Sequence, residues 1–170
     1  MSFRRAASKP AGFTLVELLI VVIIIAILAA VVVPQFSDTG TQARESALDA
    51  NLATMRSAIE LYQQQHGDYP GAKASTSGGT ANSEAAFVQQ LTLYSSAAGL
   101  TSSTKTETFK YGPYLRKGIP AEPVSGVAIV AISTDGALNM AASADPGPGG
   151  WRFNTVTGQL IANTTKYQAK

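Results

Sequence analysis

Leu18-Leu19-Ile20-Val21-Val22-Ile23-Ile24-Ile25-Ala26-Ile27-Leu28-Ala29-Ala30-Val31-Val32-Val33 carries no polar or charged side chain over its 16 positions. Extended upstream to Phe13, the run admits only Thr14 and Glu17. As a helix those 21 residues reach about 31 Å, close to the roughly 30 Å hydrocarbon core of a bilayer. Arg4, Arg5 and Lys9 precede the run with no balancing acid. The positive-inside rule therefore predicts a single pass with a cytoplasmic N-terminus and the rest of the chain delivered outward. The same pattern also fits a secretory signal peptide, with Ala26, Ala29 and Ala30 ahead of a cut and a mature chain starting near Val31. Glu17 speaks against that second reading, because a carboxylate beside lipid costs energy and so points to a function.

Outward from the run, Pro34 removes a backbone donor and crowds the preceding turn, which predicts a kink or local melting. Gly40 is a second weak point in the helix. Beyond it, Leu48, Leu52, Met55, Ile59 and Tyr62 recur at spacings of three and four, the pattern of an amphipathic helix with a buried stripe. Met55 and Tyr62 belong to that core stripe. Arg44, Asp49, Arg56, Glu60 and Gln63 mark the opposite side, facing solvent or other subunits. His66-Gly67-Asp68-Tyr69-Pro70 supplies a glycine stop and a following proline, so the helix ends near His66.

Residues 71–83, rich in Gly, Ser, Thr and Ala, read as a flexible surface loop. Ser83 to Ser95 reads as a short helix capped by Ser83, with Phe87, Leu91 and Tyr94 on one face. Gly99 to Phe109 reads as another exposed loop. Val127 to Ile132 has β-branched residues at alternate places and predicts a strand. Trp151-Arg152-Phe153 and Leu160-Ile161-Ala162 flank Asn154 to Gly158 as a hairpin. The expected class is α+β, a long helix packed on a small antiparallel sheet that buries Trp151, Phe153 and Leu160.

The 170 residues carry 13 Lys and Arg against 11 Asp and Glu. Loss of residues 1–12, which hold Arg4, Arg5 and Lys9, leaves 10 against 11, or −1. With the remaining cations scattered, no nucleic-acid partner is expected. The absence of cysteine excludes disulfides, thiolate metal sites and cysteine nucleophiles. The lone histidine, His66, reads as a solvated capping residue. No nucleophile elbow, phosphate loop, zinc-protease motif or dinucleotide fingerprint is present, and Glu45 with Asp49 reads as a solvated acidic pair, so no enzyme is expected.

Lys9-Pro10-Ala11-Gly12-Phe13-Thr14-Leu15-Val16-Glu17-Leu18-Leu19 resembles the prepilin processing motif of type IV pilins and type II secretion pseudopilins. The resemblance implies a leader at 1–12, cleavage between Gly12 and Phe13 by a membrane aspartyl peptidase, N-methylation of Phe13, and retention of the apolar segment. It also implies that Glu17 neutralises the N-terminus of a neighbouring subunit. An intrachain contact with Phe13, four residues away on the same helix face, is the alternative. Many pilins carry a proline where Pro34 stands. Gly67-Asp68-Tyr69-Pro70 and Gly112-Pro113-Tyr114-Leu115-Arg116-Lys117-Gly118-Ile119-Pro120 with Pro123 resemble the major pseudopilin, and the lack of cysteine agrees with that side. That family commonly ends in a calcium-binding loop. Here only Asp135 and Asp145 remain, a weak set for an ion that takes six to eight oxygens, so no cofactor is expected.

The resemblance thus implies a leader at 1–12, a membrane and assembly helix at 13–40 and a periplasmic or extracellular head at 41–170. The function implied is that of a filament subunit, with identical subunits, minor pilins or pseudopilins, the prepilin peptidase, an inner-membrane assembly platform and membrane lipid as partners. A membrane-tethered binding module is the competing reading. It would tolerate Glu17→Ala.

Overall fold

The computed structural model describes residues 12–76, 78–136, 141 and 149–169, and for 30–39 the helix alone. Helix α1 runs Leu15–His66, continuous through Pro34 and through Gly40, the position read as a possible break. By packing, the chain divides into two units, Met1–Gln42 and Ala43–Lys170.

In the first unit the described apolar side chains of α1 stand exposed, with Leu18 at 60% and Ile20 at 52%. Among the described residues no helix is long and apolar enough to cross a membrane, although the apolar run continues in the sequence to Val33.

In the second unit α1 presents the stripe expected of it. Leu48, Leu52, Met55, Ile59 and Tyr62 are buried in one core with Phe87, Leu91, Trp151, Phe153 and Leu160. The helix stops at His66, where Gly67 takes a positive φ of 78° and returns its N–H to the Gln63 carbonyl at 2.8 Å. Helix α2, Glu84–Thr92, is capped by Ser83, whose hydroxyl accepts from the Ala86 N–H at 3.1 Å. α2 ends earlier than Ser95. Leu93 is extended, and Tyr94 enters strand β1 (Tyr94–Ser95), so its helical spacing from Leu91 carries no helical contact.

β1 pairs antiparallel with β2 (Thr101–Ser102), inside the segment read as an exposed loop. A three-stranded sheet follows, in the order β3 (Val130–Ser133), β4 (Trp151–Asn154), β5 (Leu160–Ala162). β4 and β5 form the expected antiparallel hairpin, while β3 joins β4 in parallel, so the sheet is mixed. β3 also starts later than Val127, because Glu122 and Gly126 close a turn there: the Glu122 N–H bonds the Val127 carbonyl at 2.8 Å and the Gly126 N–H the Glu122 carbonyl at 2.7 Å. The hairpin turn is built by Asn154, whose Oδ1 accepts from Val156 and Thr157 N–H at 2.9 and 3.1 Å. Gly158 holds φ +75°, and a Cβ there would lie 2.3 Å from the Tyr69 ring. Glycine is required on both counts.

In the stretch 71–83, expected to be flexible, described residues are tied down by α2. Gln90, fully buried, accepts from the Gly71 N–H at 2.7 Å and donates to the carbonyls of Lys73 and Gly99 at 3.1 and 2.9 Å. Ser75 donates to Gln89 Oε1 at 2.6 Å. A loop poor in apolar side chains is thus held by polar ones, Gln90 through backbone groups of Gly71 and Lys73 and Gln89 through the Ser75 hydroxyl.

Candidate functional site

The residues singled out for processing stand where α1 begins. Gly12 and Phe13 are exposed and precede the helix, and the space around Gly12 is open for 4 Å about the position of a Cβ. A scissile bond has to enter a protease in extended form, and a bond outside the helical ladder can do so without breaking it. The leader residues 1–11 lie outside the described residues.

The first turn of α1 is closed by Thr14 and Glu17. The Thr14 N–H and hydroxyl both donate to Glu17 Oε2, at 2.9 and 2.8 Å, and the Glu17 N–H donates back to Thr14 Oγ1 at 3.2 Å. This is a capping box, in which an N-cap hydroxyl and a carboxylate three residues on satisfy each other's orphan donors. The intrachain partner of Glu17 is therefore Thr14 and not Phe13. Thr14 was missed in the sequence, although Thr14-x-x-Glu17 ahead of an apolar run is the pattern of that box. Oε2 takes both bonds from Thr14. Oε1 accepts none among the described residues, so one oxygen of the carboxylate stays open to a cation from elsewhere. Cleavage before Phe13 would leave the Thr14 N–H an amide and the box intact.

Pro34 lies within α1, and the kink expected there is not among the features the structure describes. At the other end of α1, His66 is not the solvated cap it was read as. Its ring stacks on Tyr62 at 4.1 Å and meets Tyr111 edge-on at 5.1 Å. Nε2 lies 3.0 Å from the Tyr114 hydroxyl and 3.1 Å from Ser95 Oγ, and Tyr114 donates onward to Gln65 at 2.7 Å. Burial pushes the imidazole below its ordinary range, against the upward pull of the Ala97 carbonyl and Asp68. Burial likewise raises the phenols of Tyr62 and Tyr114. The cluster joins the end of α1 to β1 and to the 111–114 segment. Sequence spacing cannot show it, because its members come from three separated stretches.

Arg56 is another residue assigned to the open side that turns inward: its guanidinium donates to the Leu160 carbonyl at 2.8 Å. For calcium, Asp135 Oδ1 already accepts from Asn154 at 2.8 Å, and Asp145 lies outside the described residues. Among the described residues no group of three or more His, Cys, Asp or Glu could hold a metal ion.

Comparison with known proteins agrees with the N-terminal geometry. Residues 7–33 match the family described as the prokaryotic N-terminal methylation motif. The chain is 42% identical over 72 residues to a fimbrial protein of Neisseria meningitidis serogroup B, covering 42% of this chain and 41% of that one. It is 46% identical over 50 residues to the type IV narrow pilus major component PilA5 of Thermus thermophilus, covering 29% and 43%. It is 35% identical over 60 residues to the type II secretion system core protein G of Pseudomonas aeruginosa, covering 35% and 42%. The chain thus spans less than half the length of each of these relatives. No solved structure gives a significant match. By this motif and by these relatives, part of the chain is similar to type IV pilins and to type II secretion pseudopilins alike.

Proposed function

We propose that the protein is made as a precursor and serves as a structural subunit of a type IV pilus-like filament, most like the major pseudopilin of a type II secretion system. The observation that carries this is the methylation motif at 7–33 leading directly into α1, whose later turns carry a folded head. In this reading a prepilin peptidase cuts between Gly12 and Phe13, removes the 1–12 leader and methylates the new amine of Phe13. The 13–40 helix holds the subunit as a single pass in the inner membrane, N-terminus cytoplasmic and head periplasmic. Pro34 gives that helix a place to bend. An inner-membrane assembly platform then moves the subunit from lipid into a filament of identical copies with minor pilins or pseudopilins, where it pushes cargo outward.

Glu17 fits its part chemically. Its carboxylate is fixed by Thr14 through one oxygen, and the other oxygen can meet the methylated amine of a neighbouring subunit. In apolar surroundings each charge needs such a partner, because an unpaired ion there is costly.

A second reading, the major pilin of a long type IV pilus, is favoured by the Neisseria and Thermus relatives, whose names describe pilus proteins. Deleting the chain from its host separates the two: loss of secreted protein supports a pseudopilin, and loss of surface fibres supports a pilin.

The test of the common ground is the N-terminal residue and intact mass of the membrane-associated protein. A chain beginning at Phe13 with one added methyl is the expected result. A chain beginning near Val31 means a removed signal peptide and ends the filament reading.

A further inference from the structure

Tyr167 is buried in the same core as Leu48 and Leu52, and its hydroxyl donates to Glu45 Oε1 at 2.9 Å. Lys166 lies 3.5 Å from the same oxygen and 4.8 Å over the Tyr167 ring. The segment holding these two residues is anchored at its start, where the Asn163 N–H bonds the Gly150 carbonyl at 2.9 Å, and is tightened by a turn from the Tyr167 N–H to the Thr164 carbonyl at 3.0 Å. It therefore leaves β5 and returns to α1 at Glu45, two residues inside the second unit, which begins at Ala43. Above this level α1 is held by its stripe, starting at Leu48. At Glu45 the 163–169 segment adds the contacts of Tyr167 and Lys166.

We infer that 163–169 is a latch on the first packed turns of α1, fixing the level at which the head's hold on the helix begins. A helical stretch without tertiary contacts is marginal in water. Local opening follows the contacts that close it, so the amides around Glu45 to Asn51, held also by Leu48 in the core and by Asn51 on the Ala121 carbonyl, depend in part on a segment more than a hundred residues away in sequence. The inference concerns contacts inside the second unit and stands whether or not the chain forms filaments.

The test is hydrogen exchange, read by mass spectrometry on the full chain in detergent micelles, for wild type, Tyr167→Phe and a chain ending at Asn163. Ending the chain at Asn163 should speed exchange at residues 45–51 about tenfold, and Tyr167→Phe, which removes only the hydroxyl, about threefold. Amides of α2 at 87–91 should stay within about twofold of wild type. If the shortened chain fails to fold, Tyr167→Phe decides alone. Unchanged exchange at 45–51 in that variant, or an equal increase across α2 and β4, overturns the latch.

Discussion

Two stretches of one helix bury nothing alike. In the first unit Leu18, Ile20 and Ile24 are more than half exposed, while in the second Leu48 and Met55 are wholly buried. Backbone geometry does not distinguish them, since both belong to α1. The sequence does: one stretch is apolar on every side, the other apolar on a single stripe. A stripe needs only one core and finds it in the head. A helix apolar all round needs an apolar environment on every side, which lipid or a bundle of like helices provides.

The strongest way to break the comparison is at Glu17, the acid in the all-apolar stretch. Glu17→Ala removes both the capping box and the charge, and is expected to be processed at Phe13 yet yield no filaments. Glu17→Gln separates the two roles. A Gln side chain keeps the reciprocal cap but cannot neutralise an amine. Filaments should be absent in this variant too, by electron microscopy of sheared cells. Normal filaments from Glu17→Gln would assign assembly to the cap and not to the charge.

Trp151→Ala attacks the other stretch. The indole is fully buried and donates to the Pro120 carbonyl at 2.7 Å. Its loss should cost the head about 3 to 5 kcal/mol, seen as a lower urea midpoint, while cleavage and methylation at Phe13 stay unchanged. Reduced processing would show that the head's fold is needed before the peptidase acts.

Gln90→Ala is the milder test of the same region. Gly71, Lys73 and Gly99 would each lose a buried partner, for an expected loss of about 2 to 3 kcal/mol. Susceptibility to proteolysis should rise at 71–83 first. A uniform rise would mean that Gln90 supports the core as a whole.

How much of this the chain disclosed follows from the range of each signal. The end of α1 at His66, the Ser83 cap and the 151–162 hairpin were legible because each rests on neighbours a few residues apart. The parallel pairing of β3 with β4 was not, since a strand's periodicity says nothing of its partner's direction. Nor was the ordering of 71–83, which comes from Gln89 and Gln90, residues that look like any exposed polar pair on a helix. At the candidate site, Gly12, Phe13 and Glu17 were legible as a motif. The Thr14 cap rests on the same short range, a hydroxyl three residues ahead of a carboxylate. The His66 cluster and the Glu45–Tyr167 contact were out of reach, being made of residues up to 122 positions apart.

The smallest expected effect lies at the end of α1 opposite Glu17. His66 has a folded-state pKa lowered chiefly by burial, with Lys73 adding to the drop while the Ala97 carbonyl and Asp68 oppose it. In the unfolded chain the imidazole titrates near 6.5. Above that pH both states hold it neutral and the cluster contributes fully. As pH falls through the unfolded value, the unfolded chain takes up a proton that the folded ring resists, and stability is lost until the lowered folded pKa is reached. His66→Asn keeps a hydrogen-bonding side chain but cannot titrate, so the urea midpoint measured at pH 7.5 and pH 5 should shift less in the variant than in wild type. The ring is only half-buried, and solvent screening keeps the difference small. An equal shift in both proteins would place the pH dependence in other groups and leave His66 as a packing residue alone. A smaller shift in the variant would mean that the C-terminal end of α1 is closed by a titratable side chain, His66, held in its neutral form.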